Sequence, residues 1–207
     1  MNTQQQMDAL LAQQTGAKRL LLNSCCGPCS SYVLEYLSPH FAVTVLYYNP
    51  CIQPAAEFER RLAEQKRIIA QLPTPQPVAL LVPPYEPETF LQAVQGLEDC
   101  PEGGERCAVC FRQRLAFTAR TAAEQGFDYF ATTLTVSPHK NALLINRVGA
   151  EQAASAGAVY LPSDFKKKNG YLRSLALSRQ YGLYRQDYCG CVFSLKQRQA
   201  QKEARHE

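Results

Sequence analysis

From Leu20 onward, short apolar segments alternate with segments of helical periodicity, and that alternation leaves few architectures open. Leu20–Ser24 reads as a short buried strand and Phe41–Tyr48 as a second, rich in β-branched and aromatic side chains. Val78–Val82, Asp128–Thr133 and Ala158–Leu161 read as three more. Between them, Ser31–Leu37 (opened by the preceding Pro and Ser), Pro54 to about Leu72, Pro87–Leu97, Ala108–Gln125 and Pro138–Ala156 read as helices. The Pro-rich turn 73–77 and Gly126 supply stops, and Phe58, Leu62, Ile68 and Ile69 supply much of one apolar stripe. Strands separated by helices pair in parallel through right-handed crossovers, with helices on both faces. The expectation is an α/β fold, one domain with a parallel sheet flanked by helices over residues 19–195. Residues 1–18 precede it as a helix or mobile extension, with Met7, Leu10 and Leu11 at helical spacing and Gly16 as a stop. A charged tail, 196–207, follows. A chain of 207 residues with 46% hydrophobic content can fill one such core. Sites in these sheets lie at the carboxyl ends of strands. Cys25 and Cys26, directly after the first strand, fall at that edge.

No apolar run approaches the roughly 20 residues that span a bilayer, and the Gln-rich start lacks a basic flank followed by an apolar stretch. The expectation is a soluble, cytoplasmic protein without a membrane partner. Nine cysteines cannot all pair within one molecule, and in a reducing compartment thiols at short spacing bind metal or do redox chemistry. A net charge of +4 permits contact with a polyanion without demanding it. Lys166, Lys167 and Lys168, followed by Asn169, Gly170, Tyr171 and Arg173 and then by Arg179 and Arg185, read either as a solvated basic loop or as a nucleic-acid contact.

The cysteines form three groups. Within Cys25-Cys26-Gly27-Pro28-Cys29, the span Cys26–Cys29 matches the dithiol motif of thioredoxin-like proteins. Against that reading stand the additional Cys25, the absence of Trp and the two further groups. The second group, Cys107-Ala108-Val109-Cys110, sits at a helix start, with Cys100 upstream across a Gly-bearing loop. Two such groups can together supply four thiolates, which suit either zinc or a [4Fe–4S] cluster. Convergence on the catalytic edge of a sheet that needs no bracing favours the cluster. The third group, Cys189-Gly190-Cys191, would close a small strained disulfide that is readily reduced, which suits a redox-active pair; two further metal ligands or idle thiols are the alternative. Cys51, alone after Asn49-Pro50, reads as a spectator.

Five ordered motifs resemble the QueH-type epoxyqueuosine reductases: Cys25-Cys26-Gly27-Pro28-Cys29-Ser30; Glu102-Gly103-Gly104 ahead of Cys107 and Cys110; Thr132 to Asn141; Ser163 to Gly170; and Leu183 to Cys191. The resemblance runs from about Leu20 to Ser194. It implies a sheet like that of adenine-nucleotide α-hydrolase proteins (HUP or PP-loop-like). It also implies reduction of an epoxide on a hypermodified guanosine at the tRNA wobble position, giving queuosine. By that resemblance Cys25, Cys26, Cys107 and Cys110 are the ligands of a [4Fe–4S] cluster, and Cys189 and Cys191 are a redox-active, catalytic pair fed by an external electron donor. Some members carry a second, mononuclear iron, for which Asp187, Asp164 and Cys29 are candidate ligands. The family pattern leads us to expect other residues at Cys51 and Cys100, so neither receives a role. His139 and Lys140 are candidates to donate protons or bind phosphate, and Tyr184 and Tyr188 to stack on a base.

Overall fold

The computed structural model describes residues 3–13, 16 and 18–204. Four strands, β1 (Lys18–Asn23), β2 (Phe41–Leu46), β3 (Ala79–Leu81) and β4 (Tyr129–Thr132), form one parallel sheet in the order β3-β2-β1-β4. The central pair runs in register from Lys18 opposite Phe41 to Asn23 opposite Leu46, and Asn23 also faces Thr132 of β4. Leu20–Leu22 of β1 and most of β2 are apolar because both faces of the sheet are covered there, whereas Lys18 and Arg19 open β1 in solvent and β3 is only partly covered. Leu20 and Leu22 point into a cluster with α1 (Thr3–Gln13), α2 (Gly27–Leu37) and α3 (Ala55–Gln71). Leu21 points the other way, into a cluster with α5 (Glu105–Glu124) and α6 (Ala142–Ala156). The short α4 (Pro87–Ala93) brings Phe90 into a third cluster.

The α/β class, the single parallel sheet and the helices on both faces match the expectation from sequence. The fifth strand does not form: around Ala158–Leu161 only a parallel bridge between Phe130 and Tyr160 is made, because Pro162 directly ends that segment. Two helices occupy stretches read as loop and tail, α7 (Gly170–Gln180) and α8 (Val192–Glu203). Of the N-terminal segment, Thr3–Gln13 is helical with Met7 and Leu11 buried; Met1, Asn2, Gln14, Thr15 and Ala17, and residues 205–207 of the tail, lie outside the described residues. Among the described residues, no helix is long and apolar enough to cross a membrane.

The chain winds outward from β1 through β2 to β3, then returns through α4 and α5 to β4 on the other side of β1. The carboxyl ends of β1 and β4 therefore flank the point where the winding reverses, where such sheets form a crevice. Cys25 and Cys26 follow β1, and the segment from the short 3-10 turn Thr133–Val136 to Lys140 follows β4.

Candidate metal centre

Each cysteine group is set at the start of a helix. Cys26 is the N-cap of α2 and Cys29 lies in its first turn; Cys107 lies in the first turn of α5; Cys191 is the N-cap of α8 and accepts a hydrogen bond from the Ser194 amide at 3.4 Å. Helix N-termini favour negative charge and so offset part of the burial that, at Cys107, pushes the thiol up. Gly27 is required between Cys26 and Pro28 because a Cβ there would lie 2.7 Å from the Glu64 carbonyl oxygen of α3.

Cys25, Cys26 and Cys29 form a trio whose sulfurs all lie within 4.8 Å of one another. Cys25 and Cys26 share a hydrogen bond at 3.8 Å, and Gln186 donates to the Cys26 sulfur at 3.2 Å. Hydrogen bonds from Cys26 and Cys29 pull the Cys25 thiol well below its ordinary range. The Cys25 partner pushes Cys26 up to about 12, and Cys29 rises for the same reason. A dithiol exchanger needs one lowered thiol inside its motif. Here Cys25 joins Cys26 and Cys29 in one trio and five more cysteines line the adjoining pocket, which counts against the thioredoxin-like reading.

Six cysteine side chains from four segments, Cys25, Cys51, Cys107, Cys110, Cys189 and Cys191, line one small pocket of about 30 Å³. Of the four expected ligands, Cys26 does not line this pocket and belongs to the neighbouring trio. On α5, Cys107, Cys110 and Arg114 recur at i, i+3 and i+7 and so share a face. Gly103 donates its amide to the Cys107 sulfur at 3.2 Å. The neighbouring Cys110 lowers the Cys51 thiol below its ordinary range, whereas burial raises Cys189 to about 11. All nine cysteines are free thiols, Cys189 and Cys191 included.

Cations surround the sulfurs. Arg106 and Arg114, 1% and 3% exposed, both line the pocket. Their Nε atoms and one Arg106 terminal nitrogen have no hydrogen-bond partner. Arg106 donates Nη1 to the carbonyls of Leu97 and Glu98 and lies over the Phe193 ring at 4.6 Å, and Arg114 donates to Asn23; the nitrogens left unpaired suit an anion in the pocket that both residues line. Lys140 lines the same pocket; burial would lower its ammonium, but Cys189, Cys25 and Cys29 outweigh burial and raise it. A soft, anionic group bound by thiolates meets all these demands, so the donor set and the orphaned arginine nitrogens fit an iron–sulfur cluster.

The third cysteine group is held by α3. Glu57, Arg61, Glu64 and Arg67, three or four residues apart, grip the segment from Tyr181 to Cys189. Arg67 donates to the carbonyls of Tyr181 and Gly182, Glu64 accepts the Tyr184 amide at 2.8 Å, and Glu57 accepts the Tyr184 hydroxyl. Arg61, fully buried and paired with Glu57 at 2.6 Å, donates to the carbonyl of Cys189 at 2.9 Å and of Tyr188 at 3.3 Å. Gly190, at φ +136°, packs so closely on Arg61 that a Cβ would sit 3.0 Å from its Nη1.

Outside the pocket opens a cleft of about 970 Å³ that shares Cys25, Lys140 and Cys189 with it. Its other walls include Glu102, His139, Tyr171, Arg185, Gln186, Asp187, Tyr188 and Arg198.

The profile of the family described as epoxyqueuosine reductase QueH matches residues 20–197. The chain belongs to that family. Proteins named epoxyqueuosine reductase QueH from Streptococcus pyogenes serotype M1 (44% identical over 194 residues, 93% of this chain and 76% of that protein) and from Staphylococcus epidermidis (42% over 180 residues, 85% and 76%) are among its relatives. So is one from Thermotoga maritima, 32% identical over 185 residues that make up 86% of this chain and 91% of that protein. As a member of the QueH family the chain is an oxidoreductase.

The remaining candidates fall into three places. Tyr188, His139, Lys140 and Asp187 reach the cleft, where Asp187 is paired with Lys202 at 2.7 Å. Tyr184 and Asp164 do not line it: Arg60 stacks on the Tyr184 ring at 3.4 Å, and Asp164 pairs with Lys166 at 3.0 Å. In the basic run, Lys166 is thus neutralised locally and Lys168 pairs with Asp8, leaving Lys167 exposed. Cys100 lines neither cavity. Sequence reasoning missed Cys51, Arg61, Arg106 and Arg114. For Cys51 a signal existed, since it follows β2 at the same sheet edge as Cys25 follows β1.

Proposed function

We propose that this QueH-family chain reduces epoxyqueuosine in the anticodon loop of tRNA to queuosine, with a [4Fe–4S] cluster held by Cys25, Cys26, Cys107 and Cys110. The observation that carries the reading is the convergence of six cysteine side chains and two incompletely paired arginines on one pocket beneath an open polar cleft. Removing an epoxide oxygen to leave an alkene and water consumes two electrons and two protons. When bound, the cluster supplies electrons at a potential that no side chain reaches.

The chain's own residues position the rest. Cys26 stands beside Cys25 in the trio, with Gln186 donating to its sulfur. Cys189 and Cys191 exchange with a disulfide when an external donor delivers electrons, and two thiols release the two electrons required. Lys140, on the wall common to both cavities, presents its ammonium to the leaving oxygen. Tyr171 and Tyr188 offer faces on which a splayed base stacks, and Arg185 and Arg198 meet phosphates. A second iron beside the cluster would find carboxylate oxygen at Asp187 and sulfur at Cys29, both on the cleft wall.

The test is anaerobic purification followed by incubation with tRNA carrying epoxyqueuosine and a strong reductant. A brown protein with iron and acid-labile sulfide in near-equal amounts, converting the modified nucleoside to queuosine, is the expected result. A colourless zinc protein that leaves the nucleoside unchanged would overturn the reading.

A further inference from the structure

Cys51 has no place in the family's motif set, yet its position is not that of an idle thiol. It is 6% exposed on the turn after β2. That turn is fixed on both sides: the Ile52 amide donates to the Asn49 carbonyl at 3.2 Å, the Tyr85 hydroxyl donates to the Ile52 carbonyl at 2.7 Å, and the Tyr188 hydroxyl donates to the Gln53 carbonyl at 2.8 Å. Its side chain packs with that of Cys110 in the same apolar cluster, and the two line the same pocket of about 30 Å³. Arg114, 3% exposed and with an unpartnered Nε, lines that pocket with them.

A metal corner that faces Cys110 therefore faces Cys51 as well. The cation on this wall is indifferent to which sulfur carries the metal. Helix α5 fixes Cys110 and the pinned turn fixes Cys51, so neither backbone needs to move far for the two to serve one coordination position. We propose that Cys51 is a substitute ligand of the cluster site, able to take the position of Cys110. The exchange forms a bond from metal to the Cys51 sulfur and breaks the one to Cys110. One proton leaves Cys51 and one is taken up by Cys110, and no electron is transferred. This rests on the reading of Cys110 as a ligand, and gives this chain five thiolates for a four-thiolate site.

The experiment measures iron, acid-labile sulfide and visible absorption after anaerobic reconstitution, without reference to turnover. The variants are Cys51→Ser, Cys110→Ser, Cys51→Ser with Cys110→Ser, and Cys107→Ser. Cys110→Ala is made in parallel, with and without Cys51→Ala, and far-UV circular dichroism identifies any variant that fails to fold, so that the conclusion does not hang on one side chain. The expected result is a full metal complement in Cys51→Ser, most of it in Cys110→Ser with an altered absorption profile, and a drop of roughly tenfold or more in the double variant. If Cys110→Ser is emptied as completely as the double variant while Cys107→Ser is emptied too, the substitution is overturned and the ligand reading stands. Retention of metal by Cys107→Ser breaks the ligand reading itself. Loss of metal from Cys51→Ser alone also overturns the proposal, because Cys51 would then be obligatory.

Discussion

The small pocket and the outer cleft share Cys25, Lys140 and Cys189, and in other respects they are opposites. The pocket, about 30 Å³, is walled by sulfur, apolar side chains and buried arginines; the cleft, about 970 Å³, is walled by hydroxyls, amides, tyrosines and exposed cations. Low dielectric strengthens every charge interaction in the first and solvent weakens it in the second. On the proposed function, electron chemistry belongs inside and polyanion recognition outside. The three shared residues are where the two can meet. Their chemistry, two thiols and an ammonium, suits the proposed reduction, which takes two electrons and two protons.

Breaking the link between the two regions should have the largest effect. Replacing Cys189 and Cys191 together by Ser should abolish multiple turnover while leaving iron and sulfide intact, read by steady-state assay and metal analysis. Falling metal content would make the pair ligands instead, and an unchanged steady-state rate would leave them without a role. Next comes the buried grip of α3 on the C-terminal segment. Arg61→Met removes the partner of buried Glu57, and breaking such a pair costs about 3–5 kcal/mol, measurable by urea unfolding of the metal-free protein. A loss under about 1 kcal/mol, the range of a surface pair, would show that Arg61 does not anchor the loop.

On the shared wall, Lys140→Met should lower kcat/KM on the order of a hundredfold, the loss typical of one charge-stabilising donor, with Lys140→Arg retaining part of the rate. A change confined to KM would reassign Lys140 to tRNA binding. The smallest effect is expected in the open cleft. Arg198→Ala should weaken tRNA binding modestly and make the dependence of log affinity on log salt shallower by about 1, the signature of one phosphate contact. An unchanged slope would return Arg198 to its ion pair with Asp187, 3.6 Å away.

The interior of this comparison was more legible in sequence than its exterior, for a physical reason. Buried strands such as Leu20–Ser24 and a helix with an apolar stripe such as α3 announce themselves through hydrophobic pattern, and the Cys-x-x-Cys spacing places two sulfurs on one helical face without further information. The cleft is built by α7 and α8, whose buried faces carry little such pattern. In α8 the one buried residue is Ser194, and α7 buries Gly170, Ser174 and Ser178 beside Leu177. Serines that satisfy their hydroxyls on the helix's own carbonyls, as Ser178 does on Ser174, pack closely without marking the sequence as apolar. Arg61, Arg106 and Arg114 were missed because an arginine on an amphipathic helix reads as surface; only the fold reveals that carbonyls and thiols surround it. Cys51 was set aside because a single cysteine has no spacing to interpret.

The proposed centre requires that α5 deliver its cysteines to the same place as the loop after β1. Metal analysis of anaerobically reconstituted Cys107→Ala tests this most directly. Cys107 lines the pocket and its sulfur receives the Gly103 amide; Cys51, the one spare thiol argued for, lies beside Cys110. The variant should fold, lose its visible absorption together with its iron and sulfide, and be inactive on tRNA. A folded Cys107→Ala protein carrying a full complement of iron and sulfide would contradict the assignment of this centre.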